Sequence, residues 1–75
     1  MWEITNKEPG KPEHRIKFDG YFYFQSRQIA YAYFNEYMAE MKIFAEQNGF
    51  PFKQIDSSQF ICGKNIYSIK LIEKQ

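Results

Sequence analysis

From Arg27 to Asn48 the residues Ala30, Phe34, Tyr37, Met41, Phe44, Ala45 and Asn48 recur every three or four positions, with Tyr33 and Met38 at the margins. This spacing predicts an amphipathic helix whose apolar stripe covers a sheet. Ser26 offers an N-cap oxygen, and Gly49 offers the left-handed residue that ends a helix. Asn35, Glu36, Glu40, Lys42 and Glu46 lie off the stripe, interrupted by a narrow strip of Ala32, Ala39 and Ile43. That strip reads as tolerated surface apolar residues, or as a close helix contact in a dimer.

The remaining chain alternates with a period of two, as strands do. Trp2–Thr5 is a first strand, closed by a loop, Asn6–Glu13, that holds Pro9, Gly10 and Pro12. His14–Phe18 and Tyr21–Phe24 flank Asp19-Gly20, a strong hairpin signal. A two-residue loop there would pair Phe18 with Tyr21 and leave Phe22 and Phe24 beside Lys17 and Arg15. A three-residue loop would pair Lys17 with Tyr21 and Ile16 with Phe22. The second register turns His14, Ile16, Phe22 and Phe24 inward and Arg15, Lys17, Tyr21 and Tyr23 outward, and it is preferred because it hides the Phe rings. After the helix, Phe52–Asp56 is an edge strand behind Pro51, and Asp56-Ser57-Ser58 is a turn. Gln59–Cys62 and Asn65–Glu73 form a second hairpin through Gly63-Lys64, with Gly at the position type II′ requires. The expected fold is α+β: an antiparallel sheet of four to six short strands with one long helix packed on one face, in β-ββ-α-βββ order, as a single domain over residues 1–75.

Composition sharpens this picture. A chain of 75 residues buries only about 60% of its unfolded surface, so its stability margin is thin. Eight Phe and six Tyr carry much of the apolar content, and rings bring large buried area at few rotatable bonds. A formal net charge of +1 differs from the strongly basic balance of a generic nucleic-acid binder, so any electrostatic case must be local. One cysteine, Cys62, leaves no intramolecular disulfide and too few thiols for a cysteine-based zinc site. There is no apolar run of membrane-spanning length and no secretory pattern at the N-terminus, so the expected setting is cytoplasmic, with no membrane partner.

Candidate chemistry is sparse. His14 has no partner motif and reads as a structural, half-buried side chain. A His14–Asp56–Cys62 constellation has no supporting spacing. Cys62-Gly63-Lys64-Asn65 has Ser58 where a phosphate loop needs its first Gly and Asn65 where it needs Ser or Thr, so it is rejected as a phosphate loop. The chain is therefore expected to be no enzyme and to need no cofactor and no metal. What remains is the sheet face away from the helix, where Arg15, Lys17, Tyr21, Tyr23, Lys53, Ile61 and Lys70 are expected to gather with Ser68. Interleaved Tyr, Arg and apolar residues suit a protein partner, and cations among rings suit single-stranded nucleic acid. The helix acids Glu36, Glu40 and Glu46 would give the domain an electric polarity.

In size, in its composition rich in Ile, Lys, Asn, Tyr and Phe, in the absence of a catalytic motif and in its compact α+β plan, the chain resembles small phage-encoded host inhibitors such as anti-CRISPR proteins, phage antitoxins and polymerase inhibitors. That resemblance covers the whole chain in style and transfers no functional residue. It implies an inhibitor or adaptor. The expectation is thus a non-enzymatic protein-binding module docking through its outer sheet face. Single-stranded nucleic-acid binding on the same face is the alternative, and a homodimer through Phe52–Asp56 or the Ala32 strip is a further option.

Overall fold

A computed structural model describes residues 1–73. The long helix, α1, spans Arg27–Asn48 as the periodicity requires. Ser26, in extended backbone geometry, accepts a hydrogen bond from the Ile29 amide at 3.3 Å, and Gly49 closes the other end at φ 73° while donating to the Ala45 carbonyl. Five strands precede and follow it: β1 Trp2–Lys7, β2 His14–Arg15, β3 Phe52–Asp56, β4 Gln59–Cys62 and β5 Asn65–Leu71. They form one sheet in the order β2-β1-β5-β4-β3, antiparallel at every junction. The fold is α+β, with one helix packed across a five-stranded sheet.

Register assigns the two faces. Ile4 lies opposite Ile69, Tyr67 opposite Phe60, and Phe52 opposite Cys62. These residues meet the helix residues Ala30, Phe34 and Ala45 in the core. Phe60 is its hub, stacked on Tyr67 at 4.8 Å between centroids and touching Phe34 at 5.4 Å and Phe52 at 5.6 Å. Each such ring pair contributes about 0.5–1.5 kcal/mol beyond the area it buries. In a chain with nine Ile but a single Leu and no Val, rings take over the work of filling space.

The second hairpin forms through Gly63-Lys64 as expected, with β5 ending at Leu71, two residues before the expected Glu73. Cys62 pairs with Asn65, and Gly63 alone in that turn has positive φ, at 65°. At Asp56 the carboxylate accepts from the Ser58 amide at 2.8 Å and from its hydroxyl at 2.9 Å, which locks the β3–β4 turn. The free edge at β3 carries Lys53, a register shift between Gln54 and Asp56, and Pro51 just before it. All three features discourage strand addition, which weakens the expectation of a dimer through that edge.

Four expectations are corrected. The reversal at Asp19-Gly20 is a two-residue turn: Phe18 and Tyr21 exchange both backbone hydrogen bonds, at 2.9 and 2.8 Å. Both turn residues have positive φ, 49° and 87°, as type I′ demands. The face argument for the longer loop assumed a continuing ladder. The ladder instead stops after one pair, Phe22 and Tyr23 leave it, and Phe24 pairs with Trp2 on the edge of β1. Phe24 therefore reaches the core while Phe22 remains 44% exposed, its ring 5.5 Å from the Lys17 ammonium. The expected Tyr21–Phe24 strand is reduced to isolated bridges. His14 is exposed, because β2 lies at the sheet edge beyond the cover of the helix. Phe44, placed on the buried stripe by its spacing, is 46% exposed and packs on Phe50 at 5.6 Å.

Candidate functional site

The sheet face away from the helix is reached first, because the sequence points to it. Across it the register aligns Arg15, Thr5, Ser68 and Gln59 in one row and Lys7, Ile66, Ile61 and Lys53 in another, with Glu3 opposite Lys70. Arg15, Lys53, Ile61 and Lys70 thus do share this face. Two of its cations are neutralised within the chain. Arg15 Nε lies 3.2 Å from Glu3 Oε1, and Lys70 Nζ lies 2.6 and 2.8 Å from the two oxygens of Glu13. The hydrogen bond from Lys70 holds the Glu13 carboxyl below the usual carboxylate range. Thr5 and Ser68 are buried between these pairs, and Gln59 Nε2 donates to Ser68 Oγ at 3.1 Å. This surface is polar and largely paired within the chain, although the buried Thr5 hydroxyl finds no hydrogen-bond partner among the described residues. A phosphate chain binding here would have to compete with two resident carboxylates.

Tyr21 and Tyr23 line a separate groove, although Tyr23 also borders the outer face through Arg15. The tight turn at Asp19-Gly20 carries Tyr21 around toward the start of α1, and Phe24, anchored on Trp2, leads directly into the N-cap at Ser26. Lys17 stays with Phe22. Tyr23 receives the Arg15 guanidinium over its ring at 5.2 Å, which couples it to the outer face. Tyr21, 64% exposed, and Ile29, 54% exposed, then flank an open groove of about 460 Å³ with Tyr23, Phe24 and Tyr33. The groove is braced from below, because Tyr33 packs on Phe24 at 5.0 Å and on Phe18 at 5.7 Å. Exposed rings held by a rigid floor are the kind of surface that serves as an interface anchor.

A second, smaller opening of about 200 Å³ adjoins this groove, with Tyr33 lining both. Its polar lining is Asp19, Glu36 and Glu40. The Tyr33 hydroxyl donates to Asp19 Oδ2 at 2.6 Å, and that bond to a carboxylate, with further negative charge from Glu36, raises the Tyr33 pKa above the ordinary phenol value. Among the described residues no Lys or Arg forms an ion pair with Asp19, Glu36 or Glu40.

The sequence places Tyr33 at the margin of the apolar stripe and Asp19 in the hairpin turn, but assigns neither of them, nor Ile29, to a site. Ile29 and Tyr33 are four residues apart at the N-terminal end of the helix, a short apolar row beside the main stripe, and that row is the signal that points to the groove. A third opening, about 460 Å³, lies at the other end of the helix between Met41, Phe44, Phe50, Pro51 and Cys62. Cys62 there is 5% exposed, and burial pushes its thiol pKa up. His14, Asp56 and Cys62 are not brought together: β1 and β5 separate the strand of His14 from those of the other two. Gly63-Lys64 is a hairpin turn that leads into β5, and among the described residues no helix follows it to bind phosphate. No group of three or more metal-ligating side chains occurs among the described residues, and no helix there is long and apolar enough to cross a membrane. Comparisons with protein-family models, with curated proteins and with solved structures find no match to this chain.

Proposed function

We propose that this chain is a non-enzymatic protein-binding module, working as a small inhibitor or adaptor, that docks through the tyrosine-lined groove beside the helix N-terminus. The observation that carries the reading is the pairing of an exposed Tyr21 and an exposed Ile29 across an open groove with a rigid aromatic floor. Tyrosine offers large contact area with little entropy lost on binding, and a neighbouring aliphatic side chain excludes water from the contact. The outer sheet face supports this role less well, since Arg15 and Lys70 already have carboxylate partners. The same pairing speaks against single-stranded nucleic acid, which needs cations available to displace counterions.

The test is affinity capture from the source cell, with and without nuclease, using the native chain and Tyr21→Ala. A protein retained after nuclease and lost with Tyr21→Ala is the expected result, the substitution weakening binding by about 1–3 kcal/mol. The melting temperature of the variant should stay close to that of the native chain, because Tyr21 lies largely in water. Capture that vanishes with nuclease, or that ignores Tyr21→Ala, removes the proposal.

A further inference from the structure

Resting on the protein-binding reading above, we infer that the partner presents an extended basic segment, with an apolar residue on the tyrosine shelf and an Arg or Lys in the acidic opening beyond Tyr33. The groove and the opening are neighbours, with Tyr33 lining both. Each part has its own chemistry. The groove is lined by rings and Ile29, while the opening adds the carboxylates of Asp19, Glu36 and Glu40.

Charge decides which occupant fits. The whole chain carries a formal net charge of +1, yet this corner gathers three carboxylates with no Lys or Arg paired to them among the described residues. Of the other acids, Glu3 pairs with Arg15, Glu8 with Lys11 and Glu13 with Lys70, and Asp56 is taken up by the Ser58 turn. An acidic segment would meet repulsion at the opening, and a neutral apolar one would leave the carboxylates unused. A segment that carries both an apolar anchor and a cation satisfies both parts, in the manner of extended peptides docked in aromatic grooves. At the far end of the groove Arg15 lies over Tyr23 at 5.2 Å with Glu3 as its carboxylate partner, so that end is compensated and the acidic opening alone sets where the cation lies.

The geometry of Asp19 makes the idea testable without damaging the turn. Its φ is 49°, a left-handed conformation that asparagine also adopts readily, so Asp19→Asn removes charge while keeping type I′ geometry. Glu36 is an exposed helix residue, and Glu36→Gln is neutral for the fold. The experiment selects binders to the full chain from a random twelve-residue peptide library and measures the enriched peptides against native protein, Tyr21→Ala and the double variant Asp19→Asn/Glu36→Gln. The expected pool is rich in Arg or Lys, loses binding to Tyr21→Ala, and binds the double variant roughly fivefold more weakly at low salt, a gap that closes as salt is raised. A Tyr21-dependent pool without cationic bias, or one equally bound by the double variant, overturns the inference while leaving the protein-binding reading intact. A pool with no Tyr21-dependent peptide also overturns it, and the capture experiment then decides the broader reading by itself.

Discussion

Replacing Phe18 and Phe22 by alanine, one at a time, separates the two possible chain reversals. Phe18 is half-buried and meets three rings: Tyr37 at 5.2 Å, Tyr33 at 5.7 Å and Phe24 at 6.4 Å. A fully buried Phe→Ala change costs about 3–5 kcal/mol. Partial exposure lowers this for Phe18 to about 2 kcal/mol, which in a domain of this size is a fall of roughly 8–16 °C in melting temperature. Phe22 is 44% exposed, and among the described residues its ring meets the Lys17 ammonium at 5.5 Å. Losing that cation–π contact and the remaining burial costs about 0.5–1 kcal/mol. Thermal and urea unfolding followed by circular dichroism reads both values. A Phe22→Ala loss equal to or larger than the Phe18→Ala loss would mean that Phe22 is the ring turned inward, and the groove would not have the floor described above.

Two further outcomes follow from buried groups. Burial, reinforced by the neighbouring Tyr67 hydroxyl, raises the pKa of Tyr37 from 10.0 to about 12. The folded chain therefore keeps this proton where the unfolded chain releases it, so the associated stability is intact below about pH 10 and is lost as pH rises through the folded value. Urea midpoints measured across that range should fall more steeply for the native chain than for Tyr37→Phe, and identical slopes would contradict the assignment. Cys62, 5% exposed and with its thiol pKa raised by burial, should react with a disulfide reagent only slowly in the native chain and rapidly in urea. Fast labelling without denaturant would place the thiol outside the core.

Local signals with a direct physical cause were legible in the sequence. Ser26 and Gly49 mark both ends of the helix to the residue, and the Gly63 turn and the strands Phe52–Asp56 and Gln59–Cys62 lie where alternation and turn chemistry put them. What was not legible depends on how far a pattern continues. The choice of turn at Asp19-Gly20 rested on an uninterrupted ladder, but the edge of β1 takes up Phe24 after a break, which no local rule encodes. Phe44 shows the same limit. Its spacing fits the stripe, yet it lies beside the opening at the C-terminal end of the helix, where Phe50 is its ring partner. For the site, the residue types were visible but their partners were not. Arg15 and Lys70 read as available cations until the register brings Glu3 and Glu13 to them. Tyr21 was correctly outward, on a different surface from the one expected, because the tight turn carries it toward Ile29.

The groove exists because Phe18 turns inward at Asp19-Gly20 and leaves Tyr21 in the open. A nuclear Overhauser spectrum of the native chain reads that arrangement directly. Cross-peaks from the Phe18 ring to Tyr33 and Tyr37, at centroid separations of 5.7 and 5.2 Å, with no such peaks from Phe22, are the predicted pattern. Cross-peaks from Phe22 to the helix rings, with Phe18 silent, would contradict it.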